Sequence, residues 1–247
     1  MGRNDFMPTK HIKPSKKPKI PIRITTGIPS FDKLCGKGLM DKSINLLIGG
    51  PGAGKTIFSI QFLIEGCKAG ETGVYITFEE DKEKFYAHML SLGWDLQKYE
   101  DEGKFIFIRY QPDAVKKMLN EGGGMIDSLI TQTSAKRLVI DSVTPFSLLY
   151  RDELPKKQAA LELFRLVSRW GCTTLLTEQE IVHHSPVNST LSFEADSVIL
   201  LYHNKKESKR IREIEILKMR GTDHPHQTYN FEISKYGIRL NKFSGAS

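Results

Sequence analysis

Short apolar runs alternate with longer stretches of mixed apolar and polar residues through the central part of the chain. The runs have the length of buried strands, and the stretches between them have the spacing of amphipathic helices. The predicted strands cover residues 44–48, 74–78, 105–108, 138–140 and 173–176, and the predicted helices cover 55–68, 82–92, 114–133 (interrupted by glycines at 122–124) and 156–170. Strands that alternate with helices in this way indicate βαβ units and a parallel sheet.

The two ends of the chain carry a different pattern. Residues 20–24 alternate like a short edge strand, where proline is tolerated, and residues 29–39 are predicted as a short helix closed by Gly36 and Gly38. Beyond Asp196 we predict four strands without helices between them and a charged hairpin loop at 204–210; the strands cover 198–202, 213–219, 228–233 and 237–240. The predicted fold class is therefore α/β, with a mostly parallel central sheet flanked by helices and extended by a C-terminal antiparallel meander.

Composition favours a single globular domain. The chain has 247 residues, of which 39% are hydrophobic and 26% are charged. No apolar run approaches the ~20 residues that a membrane span needs, and no secretory signal opens the chain, so we expect a cytoplasmic protein. The three cysteines have no paired spacing and are expected to be buried thiols rather than metal ligands.

The net charge of +7 would favour a nucleic-acid partner if it lay on the domain. Residues 1–24, however, carry all but one of these net charges. We therefore predict a flexible basic tail at residues 1–19, one domain at 20–242 and a short C-terminal tail at 243–247. Nucleic-acid binding stays open, although the charge of the domain does not favour it.

One segment of the chain fits the phosphate-loop pattern G-x-x-x-x-G-K-[ST]. It follows a predicted strand and precedes a predicted helix, which is the context that the pattern requires. Lys55 is expected to neutralise the β- and γ-phosphates of ATP or ADP, and the Thr56 hydroxyl is expected to ligate Mg²⁺. The predicted nucleotide contacts in this segment are Gly50, Pro51, Gly52, Ala53, Gly54, Lys55, Thr56 and Ile57.

Polar residues end three of the predicted strands at the same edge of the sheet. Asp141 is expected to reach Mg²⁺ through a water molecule, as a Walker B aspartate does. Glu79 and Glu80 are candidates to orient or deprotonate the attacking water, and strand alternation allows only one of them to face the γ-phosphate. Gln179 is a candidate sensor of the γ-phosphate. Taken alone, an acidic strand end is also typical of a solvated edge.

These motifs together resemble the KaiC family of circadian-clock ATPases, which has a RecA-like fold, and in particular its archaeal single-domain members. The resemblance runs from about residue 26 to residue 240. Besides the phosphate loop it rests on Thr26-Gly27-Ile28 with Phe31-Asp32, Thr77-Phe78-Glu79-Glu80, Gly93-Trp94-Asp95, Ile140-Asp141-Ser142-Val143 and Ile216-Leu217-Lys218-Met219-Arg220-Gly221-Thr222. The second and last of these segments are far more selective than the phosphate loop.

The resemblance implies roles for residues outside the phosphate loop. Glu79 and Glu80 match the catalytic carboxylate pair of the family, and Ser91 matches a serine that contacts the nucleotide. One segment matches the part of the family by which a subunit touches the ATP of its neighbour: Lys218, Met219, Arg220, Thr222 and His224. Ser234 also matches a nucleotide contact, but Lys235 replaces an acid there. A homo-oligomer, a hexamer as in the family, and slow hydrolysis that drives a conformational or partner-binding cycle are implied as well.

Spacing agrees with the role of the late basic segment. Lys218 and Arg220 lie two residues apart on a predicted strand, so both side chains leave the same face. Two cations on one face suit recognition of a triphosphate, and the arginine can act as a finger. A basic edge that guards the strand against aggregation would show the same spacing.

Two other functions remain open on the sequence. Recombinases and replicative helicases share the predicted core, and their DNA-binding loops correspond to residues 142–154 and 180–193, where basic and acidic residues here balance. An autokinase function would use Ser192, because the clock proteins phosphorylate an adjacent serine and threonine at this place. Phe193 replaces the second of these residues, and the nearby Ser189 and Thr190 leave the register of this comparison open.

Overall fold

The computed structural model describes residues 21–111, 121–145, 149–150, 152–180 and 189–241. Its helices are α1 Pro29–Leu34, α2 Lys55–Lys68, α3 Lys82–Ser91, α4 Leu96–Asp101, α5 Gly124–Thr133 and α6 Glu153–Trp170, with a 3₁₀ turn at Thr190–Phe193. Its strands are β1 Arg23–Ile24, β2 Leu39–Met40, β3 Ile44–Gly49, β4 Gly73–Thr77, β5 Phe105–Arg109, β6 Arg137–Asp141, β7 Thr173–Gln179, β8 Ser197–Lys206, β9 Lys209–Met219, β10 Tyr229–Ser234 and β11 Gly237–Leu240.

Strands β3 to β11 form one sheet in the order β11-β10-β9-β8-β3-β7-β6-β4-β5. The pairs from β8 to β5 in this order are parallel, and the pairs from β8 to β11 are antiparallel. β1 and β2 form a separate two-stranded ladder. The predicted α/β fold, with its mostly parallel sheet and its C-terminal antiparallel meander, is confirmed.

Helices bury the sheet from both sides. The face that carries Leu47, Val139 and Leu175 packs with α2, and the opposite face, with Leu46, Ile48 and Leu176, packs with α5 and α6. The apolar residues of α6 recur every three or four positions and form its buried side, namely Ala160, Leu163, Phe164, Val167 and Trp170. Each such Leu or Phe contributes roughly 1.5–3 kcal/mol through its burial. β3 is covered on both faces, since all six of its residues are buried.

A buried arginine joins α2 to the start of β6. The Arg137 guanidinium donates to Glu71 Oε2 at 2.6 Å and to the carbonyls of Thr25 and Phe62 at 2.6 and 2.8 Å. The side chain is 3% exposed, and these three acceptors satisfy most of its donors. This contact explains a glycine inside α2, because a Cβ on Gly66 would lie 2.4 Å from Arg137 Nε.

Two predicted elements next to turns of the chain have the wrong length. The helix predicted over 29–39 ends at Leu34, because residues 36–38 take φ values of 66°, 78° and 124°, which a right-handed helix cannot contain. The hairpin loop predicted at 204–210 is only residues 207–208. The charged residues that suggested a loop pair across the ladder, where Glu213 accepts from Asn204 and Lys206, each at 3.1 Å.

Two further elements differ from the sequence prediction. β7 continues to Gln179 rather than ending near residue 176, since it pairs with β3 up to Gly49. Thr177 and Gln179 therefore belong to the strand and do not follow it. The helix α4 was missed, although Asp95 caps it by accepting from Lys98 N at 3.1 Å.

Several predicted features lie outside the described residues. These are the basic tail at 1–19, the C-terminal tail at 243–247 and residues 114–120 of the helix predicted over 114–133. Within the described part of the chain, no helix is long and apolar enough to cross a membrane.

Candidate nucleotide-binding site

The phosphate loop connects β3 to α2 at the C-terminal edge of the parallel strands. Gly52 and Gly54 take φ values of 71° and 104°, a left-handed conformation that glycine adopts at low cost. α2 then begins at Lys55 without a side-chain cap and without an acidic residue in its first turn. Its first N–H groups therefore offer donors and a positive potential to an anion.

The other residues of the loop differ in what they expose. A Cβ on Gly50 would meet nothing within 4 Å, so the loop begins beside open space. Pro51 is exposed, Ala53 is buried, and the half-buried Ile57 packs against the hydrophobic core. A nucleotide contact from Ala53 or Ile57 would therefore involve the backbone and not the side chain.

Lys55 curls back over the loop. Its ammonium donates to the carbonyls of Gly49 and Gly50 at 2.7 and 3.1 Å. Burial lowers the pKa of Lys55, and the negative charges of Asp141 and Glu79 oppose this shift. The cation is thus held at the mouth of the loop with carboxylates nearby but bound only to backbone oxygens.

Asp141 accepts three side-chain hydroxyls at the end of β6. Its Oδ2 accepts from Thr56 Oγ1 and from the Tyr75 hydroxyl, each at 2.8 Å. Its Oδ1 accepts from Thr177 Oγ1 at 2.5 Å. Burial and the neighbouring Asp141 charge raise the pKa of Tyr75 well above its usual range, so this hydroxyl stays a donor. The predicted metal-site pair Thr56 and Asp141 is in direct contact.

The contacts of Tyr75 and Thr177 with Asp141 were not predicted from the sequence. Tyr75 lies in β4 and Thr177 in β7, the two neighbours of β6 in the sheet. A polar side chain near the end of a buried strand was the available signal, and for Thr177 it was obscured because the strand was predicted to end too early. Together they orient the Asp141 carboxylate from both sides.

The two candidate catalytic carboxylates follow β4 and differ in their surroundings. Glu79 is exposed, and its charge acts on Lys55, which places it beside the phosphate loop. Glu80 is turned towards α3, where its Oε1 lies 3.8 Å from His88 Nδ1. The expectation that only one of the pair faces the γ-phosphate stays a prediction, since the charge of Glu79 acts on Lys55 and that of Glu80 acts on Tyr75.

Three other predicted nucleotide contacts lie in β7, at the end of α3 and at the end of β10. Gln179 lies opposite Gly49 in the β3–β7 pairing, and its N–H donates to Thr144 Oγ1 at 2.7 Å. Ser91 ends α3, and the chain just beyond it packs on the β10–β11 turn, since a Cβ on Gly93 would lie 3.3 Å from the carbonyl oxygen of Lys235. Ser234 ends β10, whose Ile233 covers Gly54. These residues therefore lie on the phosphate-loop side of the domain.

Lys218 and Arg220 of the late basic segment lie at the opposite end of the strands from the phosphate loop. Arg220 N donates to Asp196 O at 2.9 Å, and Asp196 N donates to Ile44 O at 2.8 Å, next to the beginning of β3. The phosphate loop begins at the other end of this six-residue strand, roughly 17 Å away at ~3.3 Å per residue. The structure does not bring Lys218 or Arg220 to the loop of the same chain.

Both cations of this segment are held by backbone oxygens. Lys218 Nζ donates to the carbonyls of Ser192 and Phe193 at 3.1 and 3.0 Å, and Arg220 Nη2 donates to that of Phe193 at 3.0 Å. Burial lowers the pKa of Lys218, and so does the charge of Arg220. Asp196 lies 3.6 Å from Arg220 and is the only carboxylate within 4 Å of either cation among the residues described.

The remaining members of the segment have different surroundings. Met219 is buried and pairs with Ser197. Thr222 Oγ1 accepts from Arg23 Nη2 at 2.8 Å, and the half-buried His224 lies against His226 with ring centroids 5.2 Å apart.

Comparison with known proteins agrees with the site and the fold. The sequence model of the family described as "ATPase: KaiC" matches residues 24–243. The chain belongs to the KaiC family of ATPases. Membership in this family implies that the protein binds ATP and acts as an ATPase, and it confirms the resemblance seen in the sequence.

Individual relatives of this KaiC-family chain show how much of each protein it covers. The solved structure of the KaiC-like protein PH0186 of Pyrococcus horikoshii superposes with a TM-score of 0.79 at 35% identity, over 90% of this chain and 100% of that one. The UPF0273 protein MK0039 of Methanopyrus kandleri is 33% identical over 234 residues, which are 89% of this chain and 92% of MK0039. The circadian clock oscillator protein KaiC of Synechococcus elongatus is 36% identical over 231 residues, but the chain spans only 44% of its length.

A pair of glycine substitutions tests the geometry where β3 enters the phosphate loop. A Cβ on Gly49 would lie 2.4 Å from the Leu201 carbonyl oxygen in β8, whereas a Cβ on Gly50 would meet nothing within 4 Å. Gly49→Ala is expected to lower the free energy of unfolding by about 1–3 kcal/mol because the strands must separate. Gly50→Ala is expected to change it by less than about 0.5 kcal/mol. Urea unfolding without nucleotide measures both, and equal stabilities would contradict the strand geometry.

Proposed function

We propose that this chain hydrolyses Mg²⁺-bound ATP and that each site is completed by the Lys218–Thr222 segment of a neighbouring copy in a ring. The observation that carries the proposal is the separation of the two functional halves. The phosphate loop with Asp141 and Glu79 occupies one edge of the sheet, and Lys218 with Arg220 occupies the other.

The phosphate half of the site has the groups that a nucleoside triphosphate needs. The ammonium of Lys55 and the uncapped first turn of α2 supply positive charge and N–H donors. The Lys55 ammonium donates hydrogen bonds to two loop carbonyls. Phosphate oxygens would be stronger acceptors than these carbonyls. The donor set around Lys55 therefore fits a bound polyphosphate.

A magnesium ion also fits this half. No group of three acidic, histidine or cysteine side chains that could hold a metal alone is found in the described part of the chain. The metal would therefore depend on Thr56 Oγ1, on Asp141 through a water molecule, and on the nucleotide's own oxygens, which is the usual arrangement for Mg²⁺. When bound, it would offset the charge of the phosphates. Tyr75 and Thr177 hold the Asp141 carboxylate in position for this role.

Glu79 is the residue that we assign to the attacking water. Hydrolysis requires a carboxylate that orients or deprotonates a water molecule in line with the γ-phosphate. Glu79 is exposed at the strand end beside Lys55, whereas Glu80 lies beside His88 on α3. We assign Glu80 to hold Glu79 in position and not to act on the water.

The second half of the site is a preformed pair of cations. Lys218 and Arg220 both donate to the Phe193 carbonyl, and burial and then the charge of Arg220 lower the pKa of Lys218. An anion placed between them would relieve this repulsion. An arginine side chain cannot span the length of β3, so the triphosphate they receive belongs to another copy. Because this contact joins two different surfaces, it repeats head to tail, and we propose that it closes into the hexameric ring of the family.

The two other functions considered from the sequence gain no specific support. Residues 146–148, 151 and 181–188 of the loops that correspond to DNA-binding loops lie outside the described residues. The Ser192 hydroxyl donates to Ser189 O at 2.7 Å within the 3₁₀ turn. We propose ATP hydrolysis that drives a conformational or partner-binding cycle as the function of the chain.

Single substitutions of the two glutamates separate their roles. Glu79→Gln keeps the size of the side chain but removes the charge that acts on water, so turnover is expected to fall by roughly 10²–10⁴. Glu80→Gln is expected to cost less, because Glu80 faces His88. ATP affinity, measured by calorimetry, should be retained in both variants and lost in the control Lys55→Ala. Wild-type turnover in Glu79→Gln would show that another group activates the water.

Mixing of inactive variants tests the shared site. Lys55→Ala damages the phosphate half and Arg220→Ala the cation half, so each variant alone is expected to be inactive. After subunit exchange of an equal mixture, about a quarter of the interfaces pair two intact halves, and hydrolysis is expected to return in proportion.

The control for this experiment is a mixture of Lys55→Ala with Glu79→Gln. Both substitutions lie in the phosphate half, so no interface in the mixture is intact and activity should stay absent. If the first mixture also remains inactive although exchange of labelled subunits is observed, the site is not shared between copies.

A further inference from the structure

The β8–β9 hairpin reaches past the end of β3 and over the phosphate loop. β8 pairs in parallel with β3 as far as Leu201, which lies opposite Gly49. Residues 202–206 continue beyond the C-terminal end of β3 and pair with residues 209–213 of β9. Residues 202–213 of the hairpin therefore lie beside the phosphate loop and are not paired with β3.

One side chain of this hairpin holds the apex of the loop. Arg212 Nε donates to the Gly52 carbonyl at 3.0 Å. His203, which pairs with Arg212 across the hairpin, lies on the same side, since its Nδ1 would be 3.2 Å from a Cβ on Gly52. No carboxylate lies within 4 Å of Arg212 in the described part of the chain, so its guanidinium is not engaged in an ion pair.

The apex that Arg212 contacts is a tight turn. Ala53 N donates to Gly50 O at 3.3 Å, and the turn has Pro51 second and Gly52 third with a φ of 71°, as a type II turn requires. The Gly52 carbonyl and the Ala53 N–H belong to one planar peptide and point in opposite directions. A donor that fixes the carbonyl outside the loop therefore also fixes the direction of this N–H group.

We propose that Arg212 is a positioning residue for nucleotide binding, which holds the Gly52–Ala53 peptide in the orientation that the phosphate-binding loop needs. The glycine, together with the long hydrogen bond of 3.3 Å from Ala53 N to Gly50 O, would still allow this peptide to rotate away from that orientation. A charged donor on its carbonyl removes that freedom before a nucleotide arrives, so less ordering remains to be done on binding. This inference rests on the proposed function, because it concerns the same nucleotide site.

The experiment compares three variants of the full chain. Arg212→Met removes the donor and keeps much of the aliphatic stem, and Arg212→Lys keeps a donor that can reach a carbonyl. Arg210→Met is the matched control, since Arg210 lies on the same strand but donates to the His203 carbonyl at 3.1 Å and not to the loop. If Arg212→Met does not fold, Arg212→Ala replaces it, because alanine also lacks a donor that could reach Gly52 O.

Affinity for Mg²⁺-ATP and Mg²⁺-ADP is measured by calorimetry, and KM and kcat are measured for hydrolysis. Loss of a charge-assisted hydrogen bond is expected to raise Kd and KM about tenfold in Arg212→Met. The value of kcat should stay within about twofold, because Arg212 is remote from the reacting atoms. Arg212→Lys should recover most of the affinity, and Arg210→Met should bind like the wild type.

Other results would overturn the inference. Unchanged KM with a lowered kcat in Arg212→Met would indicate partial unfolding and not a displaced loop, and equal losses in the Arg212 and Arg210 variants would indicate a general effect of the hairpin. A wild-type chain that binds ATP while Arg212→Met binds it equally well refutes the inference alone. A wild-type chain that does not bind ATP refutes the proposed function as well.

Discussion

The parallel register of β3 with β7 and β8 determines where the functional side chains lie. Leu47 pairs with Thr177 on one side and with Ile199 on the other, so the three strands run level from Asn45 to Gly49. The register brings Gly49 against the backbone of Leu201 so closely that a Cβ would not fit. The phosphate loop begins at this point, so the sheet fixes the position of the loop.

The same register brings the charges of the site together. β6 and β7 are neighbours, which allows Thr177 to reach Asp141, and Tyr75 reaches it from β4 on the other side. Asp141 in turn holds Thr56 in the first turn of α2. A partly buried carboxylate that accepts from three donors keeps its geometry. The charge of Lys55 is then stabilised against burial by a group that the sheet has fixed in place.

β9 connects the two edges of the domain. Near its N-terminal end, Arg212 donates to the phosphate loop. Lys218 and Arg220 lie at its C-terminal end. Within the proposed ring, one strand therefore contacts the nucleotide loop of its own subunit and carries the cations that complete the site of the next.

The sequence predicted the parts of this arrangement that depend on local pattern. Apolar runs and helical spacing gave the parallel sheet, and the phosphate loop was recognisable because its strand and helix flank it directly. Tyr75, Thr177 and Arg212 were not recognised, since each acts on a residue at least 36 positions away in the chain. The loop of the β8–β9 hairpin was predicted too long, because charged residues that pair across a ladder look the same in sequence as charged residues in a loop.

The central claim is that one chain holds only half of a working site. Hydrolysis rate per subunit, measured over a range of protein concentrations with the particle mass determined by light scattering in the same solutions, tests it most directly. We expect the rate per subunit to fall in step with the fraction of assembled rings and to vanish for the monomer. A monomer that hydrolyses ATP at the full rate would contradict the account.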